Sequence, residues 1–311
     1  MLEKLKEKFQ QSHFHFVNGP ATQCEALLRE CLAGYGEQLG NTHPQTLQIG
    51  HLLTQVLNYQ KRYHEAFQIK NLQIETLNAD PQAPPEQMFF CIRQLIEIAR
   101  DAEQFEPAMS ICKQAVTRYQ GKHIESHAFL VLLAGTIAQA MEEYDKAFAH
   151  YAEVRTVLER DQANDHILSG FTQFYLGTLE RDRDQDKLAL QHFERTAEIL
   201  QGLGEGADQE LFAHNQFQLA LLRTEGREPQ QVIGNLLACL ETHAKVFGPR
   251  VPLTAKIHSS LGYHYNHGLA DKESAQKHYQ MARDIYTQWL GADSVEVAGL
   301  NSLLELLAPK G

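Results

Sequence analysis

Sixteen histidines in 311 residues are the first candidates for chemistry, and two pairs, His13–Phe14–His15 and His264-x-x-His267, are spaced to bring imidazoles together. Zinc would need a third and a fourth ligand, and neither an HExxH helix nor a paired CxxC supplies them. Adjacent carboxylates occur at Glu142 and Glu143, and alternating ones at Asp182, Asp184 and Asp186. The second group lacks the glycine and terminal glutamate of a calcium loop and reads as a solvated turn. GLGEGAD, residues 202–208, has the look of a phosphate loop, yet no strand precedes it and no Lys-Ser/Thr follows it. A Gly-x-Ser-x-Gly elbow is absent. These patterns predict neither an enzyme nor a metalloprotein, and no cofactor, so the chain is expected to act by binding.

Composition narrows what it binds. Lys and Arg total 28 against 39 Asp and Glu, a net charge of −11, with no basic block, which argues against a nucleic-acid partner. Cys24, Cys31, Cys91, Cys112 and Cys239 are odd in number and widely separated, as expected of reduced thiols packed as small apolar side chains. The opening residues MLEKLKEKFQQSHFHF alternate charged and apolar side chains and do not resemble a secretory signal. The longest apolar run, residues 128–141, spans only about 21 Å as a helix. That is short of a hydrocarbon layer of about 30 Å, so no membrane partner is expected and the cytoplasm is the predicted location.

The elements that would present a binding surface follow from a repeat. An aromatic, two further residues and an alanine recur at Tyr63–Ala66, Phe105–Ala108 and Tyr144–Ala147. The same small-residue slot continues at Ala189, Val232 and Ala275 and extends back to Cys24, with successive markers 39 to 43 residues apart. Upstream of each marker lies a helix with apolar positions at helical spacing, such as Ile92, Leu95, Ile96 and Ala99. Downstream lies a second helix with an apolar or aromatic residue one turn on (Leu28, Cys112, Tyr151, Phe193, Leu236, Tyr279). Small residues let helices cross closely while a large one fills the remaining groove, and each pair buries a face only by stacking on the next.

These units resemble the tetratricopeptide repeats, and in particular the long units of kinesin light chains. Leu176–Gly177, Leu219–Ala220 and Leu261–Gly262-x-x-Tyr265 are similar to the family's Leu-Gly-x-x-Tyr signature. The linkers beginning at Leu39–Gly40, Phe247–Gly248 and Leu290–Gly291 resemble its LGxxHP linker. The motif tryptophan is missing, since the only one, Trp289, lies near a linker, and Gly50 fills a slot that is normally large. The resemblance covers about residues 20 to 308. It implies an all-α, right-handed superhelical solenoid of helix hairpins acting as a protein-interaction scaffold. No segment alternates with period two, so no strand is expected. The organisation predicted is an N-terminal helix in residues 1–20 that either caps the array or enters its groove, six to seven repeats over 21–293, and a C-terminal capping helix over 294–311.

In such an array the first helix of each pair lines a concave face. Opposite the core direction of Ile92, Leu95, Ile96 and Ala99, at 100° per residue, lies Phe90. The same offset from the next two markers gives Phe129 and Phe171, and nearby positions add Leu132, Leu133, Phe174, Tyr175 and Phe217. The polar residues His51, Gln55, Asn58, Arg93, Arg100, Arg181 and Asn266 would set the register of a guest. Leu132, Phe174 and Phe217 occupy slots where co-chaperone members of the family place carboxylate-gripping residues, which disfavours a carboxylate clamp. The expected function is a non-enzymatic scaffold or adaptor holding a peptide or helix of a partner protein on apolar surface. A peptide-sensing regulator resembling the bacterial pheromone receptors is the alternative reading, and a helical-repeat metalloprotein or enzyme the third.

Overall fold

The computed structural model describes residues 2–121, 123–160, 167–222 and 228–308. Among them the chain forms fifteen α-helices, one short 3-10 turn and no strand. The first seven are α1 Leu2–Asn18, α2 Ala21–Leu39, α3 Pro44–Tyr59, α4 Tyr63–Ala79, α5 Pro85–Asp101, α6 Phe105–Tyr119 and α7 Ile124–Ala140. The remainder are α8 Tyr144–Arg160, α9 Ile167–Asp182, α10 Asp186–Leu203, α11 Gln209–Leu222, α12 Pro229–Val246, α13 Pro252–Leu269, α14 Lys272–Leu290 and α15 Val295–Leu307. This is an all-α helical-repeat solenoid. Contacts divide it into two units, Met1–Arg62 with Gln216–Gly311, and Tyr63–Asn215.

The periodic small residues lie where helices cross: Cys24, Ala66, Ala108, Ala147, Ala189, Val232 and Ala275 are all buried. One turn on, Tyr151, Phe193 and Tyr279 lie over glycines of the preceding helix. A Cβ on Gly135 would come within 2.4 Å of Tyr151 Cε1, one on Gly177 within 2.7 Å of Phe193 Cε1, and one on Gly262 within 2.6 Å of Tyr279 Cδ1. Glycine in one helix and a ring in its partner thus form a single packing unit.

The linkers explain their own motif. Gly40, Gly248 and Gly291 adopt φ of 94°, 105° and 88°, closed to most L side chains, and two of these helix ends are capped through the glycine N–H. Side-chain caps open two of the helices that follow, α3 and α15, His43 Nδ1 accepting from the Gln45 N–H and Ser294 Oγ from the Val297 N–H. A different turn leads into α4, α6, α8, α10 and α14. Lys61, Glu103, Glu142, Asp184 and Ala270 all sit at φ between 54° and 60°. After the first four of these the next N–H reaches back to a carbonyl five residues earlier, as in Arg62 to Leu57 (2.9 Å), Gln104 to Ala99 (2.9 Å) and Gln185 to Glu180 (2.8 Å), and after Ala270 the Asp271 N–H reaches Tyr265, six residues back (2.9 Å). Glycine would hold this left-handed position without Cβ strain. Glu103→Gly and Glu142→Gly are each expected to stabilise the protein by about 0.5–1 kcal/mol, read as a higher urea midpoint at an unchanged slope.

All five cysteines are free and buried, and burial pushes the thiols of Cys24, Cys112 and Cys239 up to about 12.

Candidate functional site

Helices α5, α7 and α9 lie side by side in the unit Tyr63–Asn215, so the faces they turn away from α6, α8 and α10 form a continuous surface. Rings run along these helices, Phe89 packing edge-on against Tyr119 of α6 at 5.4 Å. Phe89 meets Phe129 edge-on at 6.2 Å, and Phe129 meets Phe171 at 5.6 Å. Phe90 is joined to these rings by Arg93, whose guanidinium carbon lies 5.4 Å from the Phe90 centroid and 5.2 Å from that of Phe129. Cation and rings hold one another in a fixed arrangement. Phe129, Phe171 and Tyr175 are half-buried, with their inner edges packed against the core that contains Tyr151 and Leu176.

Leu132, expected on the groove, is fully buried in that core, and its neighbour Leu133, expected there too, is also fully buried. The cause is the number of neighbours: α7 is packed by α5 and α9 on its flanks as well as by α6 and α8, which leaves only a narrow exposed strip. Phe174 leans onto Phe193 (5.6 Å) and Tyr175 (5.6 Å). His51, Gln55 and Phe217 fall in the other unit. There Phe217 packs on the cluster of Ala220, Val232 and Leu236, with its ring 6.0 Å from His243.

Beside the rings runs a row of polar groups. Arg93 Nε lies 3.7 Å from Glu97 Oε1 and is buried without a hydrogen-bond partner. Burial holds the Glu97 carboxyl above its usual range, against the opposing pull of Arg93 and Arg100. Arg100 pairs with Asp101 at 2.8 Å and donates to Thr136 Oγ1 at 3.1 Å, tying α5 to α7. Gln139 Nε2 donates to Asp182 Oδ2 at 2.6 Å and to Thr178 Oγ1 at 3.3 Å, tying α7 to α9, while Tyr151 donates to Gln139 Oε1 at 2.9 Å. Asp182, read from sequence as part of a solvated turn, is therefore a linking residue. Burial also raises Glu210 at the start of α11, with Asp208 adding to it and Arg93 acting against it. The surface combines half-buried rings, two guanidiniums and partly desolvated carboxylates. Such a surface suits side chains and main-chain amides.

The histidine pairs do not converge on further ligands. His15 Nδ1 lies 3.2 Å from the Gly19 carbonyl and His267 packs on Tyr263 at 4.5 Å. No group of three or more potential metal ligands occurs among the described residues. One residue that the sequence pattern passed over is Lys70, which fills the buried slot one turn after Ala66 where the other units place Leu, Cys, Tyr or Phe. The interrupted pattern at that position was the signal available.

Stacked α-hairpins with a small-residue crossing and a glycine–ring pair are the architecture of the helical-repeat proteins. The tetratricopeptide-repeat family model matches residues 125–202, the span of α7 to α10. No curated protein matches the sequence. Among solved structures, BtubC (BKLC) from P. vanneervenii is similar over 72% of this chain and 91% of its own, at 14% identity and a TM-score of 0.55. The apo form of RapI is similar over 92% and 98%, at 14% identity and 0.54. A Rap protein complexed with Competence and Sporulation Factor is similar over 98% and 97%, at 11% identity and 0.55. At these identities the likeness is one of fold. No helix among the described residues is long and apolar enough to cross a membrane.

Proposed function

We propose that this chain is a non-enzymatic interaction scaffold that holds an extended or helical segment of a partner protein against the face of α5, α7 and α9. The observation that carries this reading is the Phe90–Arg93–Phe129 sandwich, whose Arg93 Nε is desolvated and without a hydrogen-bond partner beside a continuing strip of rings. A fixed cation over aromatic faces, next to the partly desolvated Glu97, offers a guest both apolar contact and directional polar contact. The partners are proteins or peptides, not nucleic acid or membrane, and the site of action is the cytoplasm. A second reading, peptide sensing, is favoured by the likeness to RapI and to the Rap protein crystallised with Competence and Sporulation Factor.

The test is affinity purification with mass spectrometry from the native cell, comparing the wild type with the double variant Phe90→Ser, Arg93→Glu. The expected result is a drop of at least about tenfold in a specific partner, the size of a lost hot spot, with far-UV circular dichroism unchanged. An unchanged partner set would remove this face from the function. Recovery of a short peptide in place of a folded protein would select the sensing reading.

A further inference from the structure

Within the unit formed by Met1–Arg62 and Gln216–Gly311, the two ends of the chain meet in a small contact. The indole of Trp289 lies edge-on to Phe16 (5.9 Å, 83°) and to Tyr59 (5.3 Å, 88°), and those two rings stack at 5.9 Å. Beside them Lys61 Nζ pairs with the Glu296 carboxylate, and this hydrogen bond holds Glu296 below its ordinary range. Two glycines make room at this contact. A Cβ on Gly19 would lie 1.1 Å from the side-chain Nε2 of Gln288, and one on Gly248 would lie 3.1 Å from the Val17 Cα.

The partners at this contact are preformed. Helix α1 packs along α2 and α2 along α3, while α13 packs along α14 and α14 along α15. Trp289 Nε1 donates to the Arg250 carbonyl at 2.7 Å, so the indole is anchored to its own end and only its ring meets the other. Sequence neighbours share long helix seams, whereas among the described contacts the ends share three rings, a partly exposed ion pair, the Gly19–Gln288 contact and one close backbone approach at Gly248. The side chains of that ion pair are 56% and 28% exposed, which makes it sensitive to salt.

We propose that this contact is a latch: the first helices and the last helices separate there as intact bodies, giving a second state in which Phe16, Tyr59 and Trp289 face solvent and no helix is lost. Interfaces with few contacts between stable bodies are where a protein has two discrete arrangements. The latch rests on residues independent of the face formed by α5, α7 and α9.

Trp289 reports the latch directly, because the chain has no other tryptophan. Acrylamide quenching of its emission is measured on the full chain for the wild type, Tyr59→Ala, Lys61→Glu, Glu296→Lys and the double charge swap. Tyr59→Ala and each single swap are expected to raise the quenching constant about twofold or more at constant far-UV ellipticity, with the double swap restoring it. Salt at 0.5 M is expected to raise it in the wild type. Quenching unchanged in every variant, or rising only as ellipticity falls, overturns the latch and makes the contact an ordinary part of the core. Should Tyr59→Ala unfold, the swaps at the partly exposed pair still decide the matter.

Discussion

Gly135→Ala is expected to lower the unfolding free energy by about 2–3 kcal/mol, the upper end of what one added methyl costs in a packed core. The new Cβ would lie 2.4 Å from Tyr151 Cε1 and 2.8 Å from its Cδ1. The ring cannot step aside. It is fully buried, its hydroxyl is bonded to Gln139, and its face stacks on Tyr175 at 6.1 Å and 16°. Gly177→Ala is expected to behave alike against Phe193, whereas Gly202→Ala, with nothing within 4 Å, is expected to be neutral or mildly stabilising in α10. Urea unfolding of the three variants separates a steric cause from a general glycine effect. A smaller ring-side residue should relieve the clash, so Gly135→Ala combined with Tyr151→Leu should cost less than the sum of the two single changes. Equal losses in all three glycine variants would refute the steric account.

Lys70→Met is expected to stabilise the protein at pH 7 by about 1–3 kcal/mol. Lys70 is fully buried, its Nζ donates to Gln73 Oε1 at 2.8 Å, and among the described residues it forms no ion pair. Burial lowers its pKa from 10.5 to about 8, partly offset by the nearby Cys91. The amine is thus still largely charged at pH 7 in a place that disfavours charge. The folded pKa lies below the unfolded one, so between about pH 8 and 10.5 the unfolded chain binds more protons and stability rises with pH. Below pH 8 the penalty is present in full, and above 10.5 it is gone. Urea midpoints at pH 7 and pH 9.5 should therefore converge between wild type and variant as pH rises. A variant less stable than the wild type at both pH values would show that the amine contributes net binding energy where it lies.

How much of this was legible beforehand depends on which residues the backbone constrains. The marker slots could be read because helix axes that cross closely admit only a small residue, whatever surrounds them, and Cys24 through Ala275 report that constraint directly. The exposed face was harder. One position turns a helix by about 100°, so Phe90 lies against Arg93 while Phe89 turns to Tyr119 of α6. Leu132 lay on the outward side by the same geometry, yet the flanking helices α5 and α9 cover it, and packing by non-adjacent elements leaves no periodic trace. The polar row of Gln139, Thr178 and Asp182 was hidden for a related reason, since each looks like a solvated residue until the neighbouring repeat is placed beside it. The left-handed turn residues Lys61, Glu103 and Glu142 carry no glycine to announce them.

The sealed thiols give the protein a practical property. With pKa values near 12, Cys24, Cys112 and Cys239 carry only about one thiolate in 10⁵ at pH 7. The remaining two are enclosed by packing as well. A cysteine introduced at a site such as Leu72, 64% exposed, would meet maleimide reagents almost alone, so fluorophores or spin labels can be attached to the native background without first removing its own sulfhydryls.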